Sequence, residues 1–404
     1  MAKQFEVLIA GAGLSGLSTA LALAEAGAEL AIIDRFDPRR TPKARIDHRT
    51  TAISLSSRRL LTALVAWKDV AATASPILDI LVSEAGQHFS MHYDHREVGD
   101  EPMGHIVDNH ALKLALIDRL QQHSAVTFLD PGSISSLSTH AAEASVTTES
   151  GERYDASLIV GADGRGSSVR ELAGIRISEH PYGHTSIVDT LEHELPHNNL
   201  AHERFLPGGP LALLPLSGNR SALVWTDQHA VSERLAKLPD TLFNAALMER
   251  FGDSLGAIRA VGPRRLYPLS LVLAETNVAD RVALVGDAGH AIHPIAGQGF
   301  NLGLRDVAAL AEVIEDAFEL GLDIGSAGVL GDYQKRRGFD VMSMVAATDG
   351  LTRLFSNGIA PLQGLRSLGL GLVQRVGPLK RGAIRHAMGT LGDLPRLMQD
   401  PAQG

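Results

Sequence analysis

Residues 5–34 read FEVLIAGAGLSGLSTALALAEAGAELAIID, and this stretch decides the fold. Phe5 to Ala10 has the length and apolar character of a buried strand. Gly11-Ala-Gly13-Leu14-Ser15-Gly16 is a tight turn, and the alanine- and leucine-rich run from Leu14 to Ala26 is a helix that Gly27 ends. Leu30 to Ile33 forms a second strand, closed by Asp34 and Arg35. The three glycines serve the turn, the close approach of a pyrophosphate, and helix–strand packing. The helix start offers unpaired N–H groups and a positive dipole end to phosphates. Asp34, 18 residues after Gly16, stands where a carboxylate holds a ribose diol. The pattern predicts dinucleotide binding but leaves NAD and FAD open.

Working outward, Val7 to Ala24 is uncharged and could pass for an export signal or membrane anchor. Its glycines and interleaved Ser15, Ser18 and Thr19 fit strand, turn and helix better. No other run is long enough to span a bilayer. A chain of 404 residues suggests two or three domains. The net charge of -9 argues against a nucleic-acid binder. The absence of cysteine removes disulfides, thiolate metal sites and cysteine nucleophiles, and fits a cytoplasmic enzyme.

Two later stretches narrow the choice of nucleotide. Ser157 to Arg170, SLIVGADGRGSSVR, runs from a strand at Leu158–Val160 into Asp163-Gly164 and a helix start. Taken alone, this is also an ordinary Asp-Gly turn. Arg281 to Val307, RVALVGDAGHAIHPIAGQGFNLGLRDV, carries a strand at Val282–Val285 closed by Gly286-Asp287. A Pro294/Gly297-Gln298-Gly299 loop then enters a helix from Phe300. A carboxylate at a strand's C-terminal end lies where open α/β sheets bind ligands. The loop and helix can aim N–H groups at a developing anion. A glycine-rich loop before a helix, with Asp287 as its cap, is the bland alternative.

GAGLSG, GADGRGSSVR and GDAGHAIHPIAGQGFNLGLRD, in this order, resemble the motifs of the group A flavoprotein hydroxylases, with the para-hydroxybenzoate hydroxylase-like fold. The resemblance covers roughly residues 5–350. DHRTTAISLSSRRLL (Asp47–Leu61), GHIVDNHALKLAL (Gly104–Leu116) and AHERFLPGGPLALLPLSGNRSALVW (Ala201–Trp225) are similar to segments of the aromatic hydroxylases of ubiquinone biosynthesis.

The resemblance implies non-covalent FAD, with NAD(P)H as a transient co-substrate. Gly11, Gly13, Leu14, Ser15 and Gly16 would approach the pyrophosphate, and Asp34 and Arg35 the adenosine ribose. Arg49 would reach the phosphates or flavin edge, and Asn109 takes a slot that often holds an FAD-contacting arginine. Asp163 would serve FAD and the nicotinamide donor. Gly286 and Asp287 would meet the ribityl chain, and Pro294, Gly297, Gln298, Gly299, Phe300 and Asn301 would line the flavin ring. The resemblance assigns no catalytic side chain. Relatives usually carry Ala where Gly289 stands, and often Gln where His184 stands.

The histidine pairs His290/His293 and His193/His197 have spacings that suit two metal ligands, yet no third ligand is implied nearby. No metal is expected. No GxSxG elbow supports a hydrolase.

Arg204 to Trp225 alternates apolar and polar residues between turns at Gly208–Pro210 and Ser217–Asn219, a signature of antiparallel sheet. The expected fold is α/β. A Rossmann-like FAD-binding domain (1–70, 100–170 and 271–350) carries an inserted antiparallel β-sheet substrate domain (71–99 and 171–270). A helical C-terminal segment (351–404) follows. Leu213, Pro215, Trp225 and Tyr267 are candidates for the pocket or for ordinary core. From Leu351 onward there are seven Lys/Arg and two Asp/Glu, a balance of +5. Such a basic apolar segment either contacts an anionic membrane or a quinone-biosynthesis complex, or caps the protein with snorkelling arginines.

The function implied is NAD(P)H-driven, O2-dependent hydroxylation of an aromatic small molecule, a polyprenylated phenol of ubiquinone biosynthesis. The alternatives are hydroxylation of a small soluble phenol, another FAD reaction on the same fold, and a non-catalytic flavin-binding subunit.

Overall fold

The computed structural model describes residues 3–40, 47, 49–84, 90–292, 298–355 and 376–400. Strand Lys3–Ala10, helix Leu14–Glu25 and strand Leu30–Ile33 appear as expected from the opening stretch. The strand is central to an eight-stranded sheet. Its parallel part runs Val282–Leu284, Arg153–Gly161, Lys3–Ala10, Leu30–Ile33, Val126–Phe128. The chain moves to one side of the first strand for Leu30–Ile33, then to the other for Arg153–Gly161. That reversal is the switch point where such sheets bind ligands.

The two strands flanking the switch point meet closely at their C-terminal ends. Gly11 has φ +104°, and a Cβ there would lie 2.4 Å from the Ala162 carbonyl oxygen. Only glycine permits both that backbone and that approach. Behind the turn, the small face of Leu14–Glu25 packs against helices Gln298–Glu319 and Asn109–Gln122, giving a core that contains Leu17, Leu21, Leu116, Leu304 and Leu310.

A second, nine-stranded sheet lies beyond. Its main path runs His290–Ala291, Arg265–Ala274, Ile177–His193, Arg220–Gln228, Gly209–Leu216, Leu200–Leu206, Asp79–Glu84, Ser90–Asp94. The turns fall near Pro207-Gly208 and Ser217–Asn219, close to where glycine and asparagine placed them. One pair departs from the antiparallel expectation: Leu200–Leu206 runs parallel to Asp79–Glu84. These strands are over a hundred residues apart in sequence, so no hairpin turn dictates their direction. Strand Arg265–Ala274 also runs through the boundary expected at residue 270. A small three-stranded sheet of Thr50–Ser54, Gly104–Asp108 and Ser75–Ile77 sits between the two larger ones.

Side-chain parity divides the second sheet. Ile187, Leu211, Leu213, Leu223 and Trp225 share one face and pack with Phe243 and Leu247 of helix Asp240–Phe251. Leu213 and Trp225 are therefore core, not pocket. The opposite face carries Tyr267, Ser186, Thr226, Val188, Val224 and Ala212. Val188 and Val224 are only half-buried although their strands are central, so this face borders open space rather than packed core.

Helix Gly377–Ala387 packs back on the body. Ile384 and Met388 join Leu55 and Met103, and Lys380 pairs with Glu97 at 2.6 Å. No helix among the described residues is long and apolar enough to cross a membrane.

Candidate functional site

The first helix begins at Gly13 without any side-chain cap, and a Cβ added at Gly13 would meet nothing within 4 Å. Its first-turn N–H groups therefore face open space beside the switch point, which suits a pyrophosphate. Asp34 closes the neighbouring strand and ties it to the turn: Ala12 N donates to Oδ2 at 2.7 Å and Phe36 N to Oδ1 at 3.1 Å. A carboxylate has about four acceptor sites, so two remain for a ribose diol. Arg35 is exposed.

Gly286 and Asp287 follow strand Val282–Leu284 in a short turn. Gly286 has φ +62°, and a Cβ there would lie 2.8 Å from Ser15 Oγ, so the two glycine loops touch. Asp287 is solvent-exposed yet set deep among protein atoms, as a carboxylate on the wall of a cleft is. Burial pushes its carboxyl up, opposed by the positive fields of His290, Arg165 and Arg49.

Arg49 enters from the small sheet. Asp47 holds its guanidinium in a fork of two 2.8 Å bonds, and the ring of Tyr267 lies 5.4 Å from Cζ. Asn109 Nδ2 donates to Asp47 at 2.9 Å, and Thr51 Oγ1 donates to Asn109 Oδ1 at 2.5 Å. Burial works against the Asp47 charge, but Arg49 and Asn109 outweigh it and hold that carboxyl below its usual range. Asn109 is thus the bracket that aims Arg49, and its amide is occupied within the protein. Asn301 is likewise spent on backbone. It accepts from Ser54 N at 2.9 Å and donates to the Ala52 carbonyl at 2.8 Å, pinning strand Thr50–Ser54 to the start of helix Gln298–Glu319.

Asp163 Oδ2 caps the helix Ser168–Leu172 through Ser168 N, Ser168 Oγ and Val169 N at 2.8, 2.9 and 3.2 Å. Its Oδ1 is buried without a partner among the described residues. Arg165 donates to the Ser270 carbonyl at 2.7 Å, which keeps its charge beside Asp287. Gln298, Gly299 and Phe300 open their helix, and a Cβ at Gly299 would meet nothing within 4 Å. Pro294 and Gly297, and His293 with them, lie outside the described residues.

The structure therefore brings the glycine turn, Asp34, Asp163, Asp287, Arg49 and the start of helix Gln298–Glu319 to one cleft, faced by the open side of the second sheet. These features suit FAD. Open N–H groups stand ready for the pyrophosphate, one carboxylate for the adenosine ribose, and a recessed one for the ribityl hydroxyls.

Two residues without an assigned role in the sequence support this cleft. Asp306 accepts from Gly286 N at 2.9 Å, His290 Nε2 at 2.6 Å and Arg337 Nε at 2.6 Å, with all three side chains fully buried. Its signal was a lone acid one turn after Leu302, on the apolar face of its helix. His290 Nε2 is thereby committed to Asp306. His193 and His197 lie outside helices, and their rings meet edge to face at 5.6 Å. Gly289 leaves room for Asn277, whose Oδ1 would be 2.6 Å from a Cβ there.

The model of the FAD binding domain family matches residues 4–343. Ubiquinone hydroxylase UbiL of Rhodospirillum rubrum is 48% identical over 400 residues, covering 98% of this chain and 93% of that protein. The 3-demethoxyubiquinol 3-hydroxylase of Escherichia coli is 34% identical over 385 residues, 95% and 98% of the two chains. Among solved structures, p-nitrophenol 4-monooxygenase PnpA of Pseudomonas putida superposes with TM-score 0.77 at 16% identity, covering 96% and 98% of the two chains. That likeness shows the fold. With the family match spanning most of the chain and the identity to ubiquinone hydroxylases running nearly end to end, the protein belongs to the FAD-dependent monooxygenases of the FAD binding domain family, in the branch of the ubiquinone-biosynthesis hydroxylases.

Proposed function

We propose that this enzyme hydroxylates a prenylated phenol of ubiquinone biosynthesis, taking electrons from NAD(P)H and one oxygen atom from O2. The observation that carries the reading is the open sheet face opposite the dinucleotide cleft, where Val188 and Val224 stand half-buried in mid-sheet. An aliphatic surface of that kind suits an alkylated ring, and a prenyl chain on it adds about 0.8 kcal/mol per buried CH2. The near end-to-end identity to a ubiquinone hydroxylase supports the same substrate class.

Bound FAD supplies the redox chemistry and oxygen activation that no side chain provides. The chain's residues bind and orient. The first-turn N–H groups at Gly13 hold phosphate, Asp34 and Asp287 hold hydroxyls, and Arg49 places positive charge where reduction would build up negative charge. The parallel sheet would serve the cofactor and the second sheet the substrate, as the division at residues 71–99 and 171–270 has it.

Contact with a membrane or a quinone-biosynthesis complex, from the cytoplasm, belongs to the same proposal. Its support is the outer side of helix Gly377–Ala387, where Leu379, Arg381 and Arg385 are exposed while Ile384 and Lys380 face inward.

The test is the purified yellow protein mixed rapidly with NAD(P)H, with and without a prenylated phenol, followed by product analysis under labelled O2. Phenol-dependent reduction and label in the product support the reading. Reduction without hydroxylation, or no reduction, points instead to another FAD reaction or to a flavin-binding subunit.

A further inference from the structure

We propose that Glu203 is a catalytic residue that takes the hydroxyl of the phenol: its carboxylate accepts the O–H on the sheet face turned toward the dinucleotide cleft. The inference rests on the phenol-hydroxylase reading above. Cross-strand register sets Val82, Glu203, Ala212, Val224 and Val188 side by side in one row that ends at Arg265. The next row on the same face runs Phe205, Pro210, Thr226, Ser186, Tyr267, and Tyr267 is the ring beneath Arg49. The row on the other side contains Ala201 and Leu214, which close against Ala52 and Ile106. The Glu203 row therefore lies between that packed wall and the Tyr267 row, with Glu203 four strands from Tyr267 and facing away from the Trp225 core.

Glu203 is half-buried between the aliphatic Val82 and Ala212, and no hydrogen bond or ion pair reaches its carboxylate from the described residues. Asp189 and Asp227, on the same sheet, each accept from backbone, although Asp189 Oδ2 has no partner among the described residues. The donors are Thr190 N and Gly262 N for Asp189, and Gln228 N for Asp227. A carboxylate left without donors in an apolar place is costly unless a ligand brings one. Burial alone pushes the Glu203 carboxyl up to about 7. Glu84 and Tyr93 on the adjoining strands, with His184, Arg265 and Tyr267 across the sheet, are titratable groups on this face.

The step is a proton transfer. The phenol O–H bond breaks, the proton passes to a Glu203 carboxylate oxygen, and the electron pair stays on the phenolate oxygen, enriching the ring carbons ortho and para to it. A carboxylate with raised proton affinity is better matched to a phenol than an ordinary one. The proton returns when product leaves.

The experiment compares the FAD-loaded wild type with Glu203→Gln and Glu203→Asp, using 2-prenylphenol and its methyl ether as probes. The infrared difference between wild type and Glu203→Gln should show a protonated carboxyl that disappears as pH rises through about 7. The band should respond to 2-prenylphenol and not to the ether. Glu203→Gln should keep its FAD and melting temperature but lose about 100-fold in kcat/KM together with the acid limb of its pH profile, and Glu203→Asp should recover part of both. A carboxyl band indifferent to the phenol, or a Gln variant within about threefold of wild type with the same pH profile, overturns the assignment. A Gln variant that does not fold leaves the Glu203→Asp difference spectrum to decide in the same way. A wild type that hydroxylates no phenol defeats the functional reading, whereas the infrared response still tests Glu203 itself.

Discussion

His290 Nε2 lies 2.6 Å from Asp306 Oδ2 in a part of the structure closed to solvent, and the same carboxylate oxygen receives Gly286 N at 2.9 Å. With Asp306 ionised, Nε2 carries the proton, because a carboxylate only accepts. Asp306 thus fixes both ends of the turn that presents Asp287, while its other oxygen holds Arg337. Burial opposes the Asp306 charge, but His290 and Arg337 outweigh it and keep the carboxyl below its usual range.

Asp306→Asn should therefore cost about 3 kcal/mol, since it leaves the Arg337 charge buried with Asp340 alone. The wild-type sign follows from a folded-state pKa below the unfolded one. The contribution is present above the unfolded carboxylate range and is lost as pH falls through the folded value. Denaturant melts at neutral and acid pH check this. The mutant deficit should shrink on the acid side, and a pH-independent deficit would contradict the ion-pair account.

Asp287→Ala should lose most bound flavin while the protein remains folded, because this recessed carboxylate faces the cleft and has no hydrogen bond among the described residues that the change would break. Absorbance of the released FAD against protein concentration measures it. Wild-type occupancy in the variant would move the ribityl contact to another residue.

Asp34→Ala should weaken FAD by about 1–3 kcal/mol, the cost of leaving the ribose hydroxyls and the Ala12 N–H without their acceptor. Fluorescence titration of the stripped protein reads the shift. An unchanged dissociation constant would place the ribose partner elsewhere.

Charge reversal at Arg381 and Arg385 together should reduce binding to phosphatidylserine vesicles and leave FAD content intact, since both side chains point outward. The loss should be largest at low salt, where screening is weak. Lys380→Ala is the contrasting change. It breaks the 2.6 Å pair with Glu97 and should lower stability more than vesicle binding. Vesicle binding that ignores the double reversal would favour the reading of this helix as a cap alone.

The nucleotide half was legible in the sequence because its signals are local. A buried strand, a glycine turn and a helix start within about thirty residues declare themselves by periodicity and by the few residues a tight turn admits. Asp34 and Asp287 stood out as candidates for the same reason, each marking the end of a strand. Distance in sequence hid the rest. Nothing near Asn109 or Asn301 announces that their amides are consumed by Asp47, Thr51, Ser54 and Ala52. Trp225 read equally as pocket or core until strand parity put it against Phe243. The parallel pairing of Leu200–Leu206 with Asp79–Glu84 set the row in which Glu203 stands. Local chain geometry thus marked the cleft that suits a dinucleotide. Which polar side chains are spent inside the protein, and which are left facing the cleft, was decided only by packing, because desolvation and partner choice depend on residues the chain brings together from far apart.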